Sequence, residues 1–239
     1  MPSSTDITLL TSEARTVSGV GVSVDLGNRT GLTLDLAILA VDGTSPTLDV
    51  SIETSKDEAT WRTLDAFERV TTPGPVARAF AGADRYVRAR WTLGGTDPSI
   101  TFGLAGQALL LYATPEDVAK LGVAAEALAA IPRSTLAEHL IANVDDIDDK
   151  LCKRFALPLT RWPSSLRKHL AAITAWTALS NRGVNPGTGD KDIQLRHDKA
   201  WKDVLDLAEN RAGSTDGYVD STPAVIDDGV YVWGRPRRR

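Results

Sequence analysis

The stretch "LYATPEDVAKLG" (111–122) marks a change of grammar in this chain. Ahead of it, apolar residues alternate with a period of two; behind it, they recur every three or four positions. Within it, Thr114 is placed to cap a helix, Pro115 to open it, and Glu116 and Asp117 to supply acids to its first turn, with Gly122 as the stop. A switch at this point predicts an α+β protein in two domains. Residues 1–111 form a β domain, residues 112–212 an all-α small helical bundle, and residues 213–239 an extended C-terminal arm.

Upstream, "GVGVSVDLG" (19–27), "GLTLDLAILAV" (31–41), "PTLDVSIETS" (46–55), "TWRTLDAF" (60–67), "VARAFAG" (76–82), "RYVRARWTLGG" (85–95) and "SITFGLAGQALLLY" (99–112) all read as strands. The near-duplicate segments "DGTSP" and "GGTDP" read as turns between them. In "RYVRARW", Arg88 and Arg90 share a face with Tyr86, giving a half-buried strand with a wet, cationic side. About eight short strands in this space predict an antiparallel β-sandwich, jelly-roll-like in type.

Downstream, "VAAEALAAI" (123–131) is a short helix ended by Pro132. Thr135 and Glu138 suggest a capping box for a helix reaching about Phe155. Its stripe is Leu136, Leu140, Val144, Ile147 and Leu151. Ser164 or Ser165 opens a helix that is apolar nearly all round, and a last helix spans about 191–211, with Ile193, Trp201, Val204, Leu205 and Ala208 as its apolar residues. Trp162, Trp176 and Trp201 are expected as core aromatics.

The sequence carries little chemistry. His139, His169 and His197 fall on three different expected helices, none with a second ligand at metal spacing. The acid cluster Asp145, Asp146, Asp148 and Asp149 lacks the alternation and central glycine of a calcium loop, so it is expected to be a solvated helix face. Cys152 is the single cysteine, which rules out an internal disulfide, and it is expected to be small and semi-buried. No nucleotide-binding or nucleophile-elbow motif is present. The expectation is a non-enzyme with no metal and no cofactor.

The whole chain has a formal charge of −4, and four of its last five residues are arginines, which leaves −8 on the other 234. Such a body does not grip DNA. No apolar run approaches the ~20 residues of a membrane span. The opening "MPSSTDITLL" lacks a signal peptide's basic and apolar regions, so synthesis in the cytoplasm is expected.

Two motifs carry a resemblance. The first is Tyr112, Thr114, Glu116, Asp117 and Val118. The second is Ile147, Asp148, Leu151, Arg154, Phe155, Leu157, Pro158 and Leu159, followed by the alanine-rich "LRKHLAAITAWTAL" (166–179). Together they resemble the phage head–tail adaptor (head completion or connector) family of Mu-like prophages over about 100 residues, 111–212. The second motif has a structural reading: Ile147, Leu151 and Phe155 form one stripe, and Pro158 ends the helix so that Leu157 and Leu159 clamp the next turn. The resemblance implies a virion protein at the head–tail junction that forms a ring, typically a dodecamer, under the portal protein. DNA would pass through its channel without specific binding, and the ring would dock tail or neck proteins. The β domain is an addition to the compact family pattern and is similar to β domains of phage structural proteins. The alternative is another neck or tail component, or an accessory module whose β domain recognises a protein or a glycan.

The chain ends in "VYVWGRPRRR" (230–239). Val230, Tyr231, Val232 and Trp233 alternate as a pairing strand would, and Arg235, Arg237, Arg238 and Arg239 could meet acidic groups on a partner. The resemblance makes the portal that partner.

Overall fold

A computed structural model describes residues 4–181, 191–209 and 218, and the backbone of 223–225 and 231–233. The chain divides into two compact units: Ser4–Leu110, and Leu111–Arg239 together with Met1–Ser3. The first is an antiparallel β structure and the second is helical, an α+β arrangement in chain order.

Two very long strands organise the β unit. Strand β4 runs Gly31–Ser55 and β7 runs Tyr86–Leu109, and they pair antiparallel along their whole length. A straight strand of 25 residues would reach about 80 Å, far too long for a domain with a radius of gyration of about 13 Å. The ladder is therefore interrupted near its middle, with register shifts between Ile38 and Ala40, Asp42 and Thr44, and Thr44 and Thr47. The segments expected as turns sit here, opposite each other: Asp42 faces Ser99, Thr44 faces Thr96 and Thr47 faces Gly94. Each supplies two residues with left-handed backbone, Gly43 and Ser45 on β4, Gly95 and Asp97 on β7. The near-duplicate sequences thus bend two continuous strands in step and do not separate four short ones.

This accounts for the difference from the expected eight short strands. Among the described residues, seven strands form one hydrogen-bonded sheet. The arm built on Gly31–Val41 and Ile100–Leu109 is flanked by β1 (Ser4–Arg15) on β7 and β6 (Gly74–Ala81) on β4. The other arm is flanked by β5 (Arg62–Ala66) on β4 and by the short β2 (Gly19–Val20) and β3 (Val24–Asp25) on β7. Leu32, Leu34, Leu36 and Ile38 of one arm join Leu48, Val50, Ile52, Val87 and Ala89 of the other in a single apolar cluster.

Strand β1 is not among the strands expected from the sequence. Register shifts between Thr8 and Leu10 and between Leu10 and Glu13 break its period of two. Arg15 ends it as a buried staple: its guanidinium donates to the carbonyls of Phe102 at 2.6 Å and Thr11 at 3.0 Å and lies over the rings of Phe102 and Trp91. The cationic face expected at Arg88 and Arg90 is partly neutralised by Glu53, which lies across the ladder from Arg88. Arg88 Nε and Arg90 Nη1 donate to the two carboxylate oxygens of Glu53, at 2.7 and 3.0 Å.

The helical unit contains α1 (Pro115–Asp117) running into a π-helical turn, Val118–Gly122, then α2 (Ala125–Leu128), α3 (Arg133–Leu151), α4 (Ser164–Ser180) and α5 (Lys191–Ala208). Helix α4 is the central one, as its composition suggested, with Leu166, Leu170, Ala171, Ile173 and Ala175 fully enclosed. Of the two end signals, Gly122 closes the π-helical turn as read, and the expected capping box does not form. Helix α3 begins at Arg133 with no side-chain cap, so Thr135 and Glu138 lie inside it and form no capping box at its start. Gly122 is required for space: a Cβ there would lie 2.5 Å from the Ala171 carbonyl oxygen and 2.9 Å from the Ala175 Cβ.

Candidate functional site

The two sequence motifs meet in space within the helical unit. Thr114 caps α1 in a reciprocal box: its hydroxyl accepts from the Asp117 amide at 3.3 Å, and the Asp117 carboxylate accepts from the Thr114 amide at 3.0 Å. Glu116 pairs with Arg133 at the start of α3, at 2.7 Å. These bonds fix the direction in which the chain enters the bundle, and so fix Tyr112 just before it.

Tyr112 is enclosed, and its hydroxyl donates to Asp148 Oδ1 at 2.5 Å. The Leu159 backbone also bonds the phenol, and the Tyr112 carbonyl accepts from Trp162 Nε1 at 3.2 Å. The Trp162 ring meets the Tyr112 ring edge-on with centroids 5.0 Å apart. One node therefore joins the chain entry (Tyr112), α3 (Asp148) and the turn after α3 (Leu159, Trp162). Burial pushes the Asp148 carboxyl up to about 6 against the hydrogen bond from Tyr112, and burial also raises the Tyr112 phenol.

The acid cluster is thus not uniformly solvated. Asp146 and Asp149 are exposed and Asp145 is half-buried, but Asp148 is only 2% exposed. Its place four residues after Val144 puts it on the α3 stripe, a signal present in the sequence but masked by its acidic neighbours. Asn143 and Thr174 were also missed; Asn143 Nδ2 donates to Thr174 Oγ1 at 3.1 Å, a buried link between α3 and α4.

The rest of the second motif is used locally. Ile147 and Leu151 are fully buried, while Phe155 is half-buried beyond the end of α3 and stacks on Tyr218, centroids 5.5 Å apart. Arg154 Nη1 donates to the Leu207 carbonyl at 2.7 Å, which ties the last turn of α5 to the end of α3. The Leu157–Pro158 bond is cis; Leu159 is fully buried, and Leu157 and Pro158 are half-buried. Cys152 is exposed, against expectation, because α3 ends at Leu151 and the thiol points outward, donating to the Asp149 carbonyl at 3.2 Å. Trp162, Trp176 and Trp201 are all half-buried, at the margin of the core and not inside it.

No reactive constellation assembles among the described residues. His139 lies by Asn181, His169 by Asp203 and His197 by Asp198. No group of three or more metal-ligating side chains is found among the described residues, and no described helix is long and apolar enough to cross a membrane. In the arm, Tyr231–Trp233 (β9) pairs antiparallel with Pro223–Val225 (β8) of the same chain. The alternation read in the sequence is therefore used, on one edge, within the chain itself. Val230, Arg235, Arg237, Arg238 and Arg239 lie outside the described residues.

Residues 107–219 match the family model described as bacteriophage Mu, Gp36, and this span contains both motifs. No curated relative matches the chain. Among solved structures, the SPBc2 prophage-derived protein YomS is similar at 14% identity, over 45% of this chain and 95% of that one, with a TM-score of 0.30. A structure of the infectious bursal disease virus Gt strain matches at 16% identity over 45% of this chain and 33% of its own, TM-score 0.32. A pentameric capsid protein from metagenomic phage sequences matches at 11% identity over 43% and 62%, TM-score 0.22. The family match supports a phage structural protein.

Proposed function

We propose that the chain is a non-enzymatic virion protein acting as a head–tail adaptor: a ring under the portal that extends the DNA channel and receives the tail or neck. The observation that carries this reading is the family match over residues 107–219, together with the way its motif residues are used. Tyr112, Asp148, Leu151, Arg154 and Leu159 all hold helices and turns in place. A site of this kind builds a rigid module for assembly. The acidic body supports the same reading, since a channel that DNA slides through should not bind phosphate.

The reading is tested by quantitative mass spectrometry of purified particles and of particles arrested before tail joining. The expected outcome is this chain present in a fixed ratio to the portal subunit in both. Its absence from particles, coupled with binding to a glycan array, would favour the accessory-module alternative.

A further inference from the structure

Beyond the end of α5 the sequence turns polar. Residues 209–222, ENRAGSTDGYVDST, hold mostly small, charged and hydroxyl side chains, and Tyr218 is their only aromatic residue. Such a composition has little apolar surface of its own to bury. Tyr218 is nonetheless only 7% exposed. Its ring stacks on Phe155, with centroids 5.5 Å apart and planes 31° from parallel, and its hydroxyl shares a hydrogen bond with the Ser165 hydroxyl. Burial raises the phenol, which therefore stays neutral at ordinary pH.

Phe155 and Ser165 belong to one corner of the bundle. Phe155 follows the end of α3, and Ser165 lies in the first turn of α4. Arg154, whose guanidinium lies over the Phe155 ring, ties the corner to the Leu207 carbonyl at the end of α5. Phe155, expected on one stripe with Ile147 and Leu151, lies beyond that helix and is half-buried, so its ring is left for a use of its own. We propose that Phe155 and Ser165 are the receptor of the C-terminal arm, and that Tyr218 is the pin that holds the arm's root there. The pin consists of one ring and one hydroxyl. Both are neutral, so salt does not loosen it, and the loss of one side chain opens it. An arm fixed in this way starts from Tyr218 and not from the end of α5, and any partner of the arm meets it from that corner.

The test uses the full-length chain with Cys152→Ser, because Cys152 is exposed, and with Ala224→Cys carrying a fluorophore in the arm. Fluorescence anisotropy decay then reads the local motion of the arm. Tyr218→Ala and Phe155→Ala should each raise the amplitude of fast motion at least about twofold, and to the same level. Tyr218→Phe should keep most of the restraint, and the two alanine substitutions together should add nothing to either alone. High salt should leave the decay of the unsubstituted pin unchanged. Circular dichroism should show full helix content in every variant. An unchanged decay in Tyr218→Ala, or additive effects of the two alanines, overturns the proposal. So does a restraint that weakens on dilution, since the receptor would then belong to a second copy. Loss of helix in either alanine variant also overturns it, because the residue would then be part of the core. The vertex location is not touched by any of these outcomes, so the adaptor reading and the pin fail separately.

Discussion

Among the described residues each unit buries one carboxylate, and the two are handled in opposite ways. In the β unit, Glu53 is 6% exposed and is met by two guanidinium groups, those of Arg88 and Arg90. In the helical unit, Asp148 is 2% exposed and is met by the neutral hydroxyl of Tyr112. Glu53 stands in a ladder whose partners are fixed by register, which places Arg88 directly across from it and Arg90 on the diagonal. Asp148 stands where a chain entry, a helix and a turn converge, and an uncharged donor satisfies it while costing less desolvation than a second ion. A buried acid can thus serve as one half of an ion pair or as a hydrogen-bond acceptor of a neutral group.

The largest expected effect follows from that difference. The unfolded Asp148 carboxyl ionises near 3.8 and the folded one near 6, so the folded chain holds its proton longer. The stability contributed by this group is full below pH ~4 and is lost as pH rises through about 6, by about 3 kcal/mol. The difference in helical circular dichroism melts between wild type and Asp148→Asn should show this slope. Asparagine keeps an acceptor for Tyr112 without the charge, so the variant should be at least as stable as wild type at pH 8. A variant less stable than wild type at pH 8 but not at pH 4 would place the carboxylate charge itself among the stabilising groups.

Next comes Tyr112→Phe, which leaves the buried carboxylate without its hydroxyl donor. It should destabilise the helical unit by about 2 kcal/mol at pH 8, and less at pH 5, where Asp148 carries a proton. Equal losses at both values would mean that ring packing against Trp162, and not the hydrogen bond, is what the substitution disturbs.

Glu53→Gln should cost the β unit about 1–2 kcal/mol, since the Arg88 and Arg90 side chains are 25% and 56% exposed and water replaces part of the lost pairing. Its effect should shrink in high salt far more than that of Tyr112→Phe, and chemical denaturation at two ionic strengths would show this. The smallest effect is expected at the Arg69–Asp49 pair, whose side chains are 64% and 41% exposed, where Arg69→Ala should leave the denaturation midpoint unchanged.

The same contrast explains what could be read from the sequence. The α+β order was legible because the hydrophobic period changes at Tyr112–Gly122, and the Thr114 cap was legible because its signal is local. The central place of α4 followed from composition alone. The continuity of β4 and β7 was not legible, because Gly43, Ser45, Gly95 and Asp97 look the same in a bend as in a turn. Only the cross-strand register shows which it is. Strand β1 was hidden by its bulges. Asp148 was hidden by Asp145, Asp146 and Asp149, although its position on the stripe was available. The Tyr112–Asp148 bond spans 36 residues, and no local pattern announces such a pairing.

The central claim, an adaptor ring at the head–tail vertex, is tested most directly by a reconstruction of the neck of assembled particles. The account predicts a closed ring of this chain directly beneath the portal, with the helical unit, including the Tyr112–Asp148 node, present in every subunit. A neck whose portal-proximal ring is built from other chains, with this chain absent or located elsewhere in the particle, would contradict it.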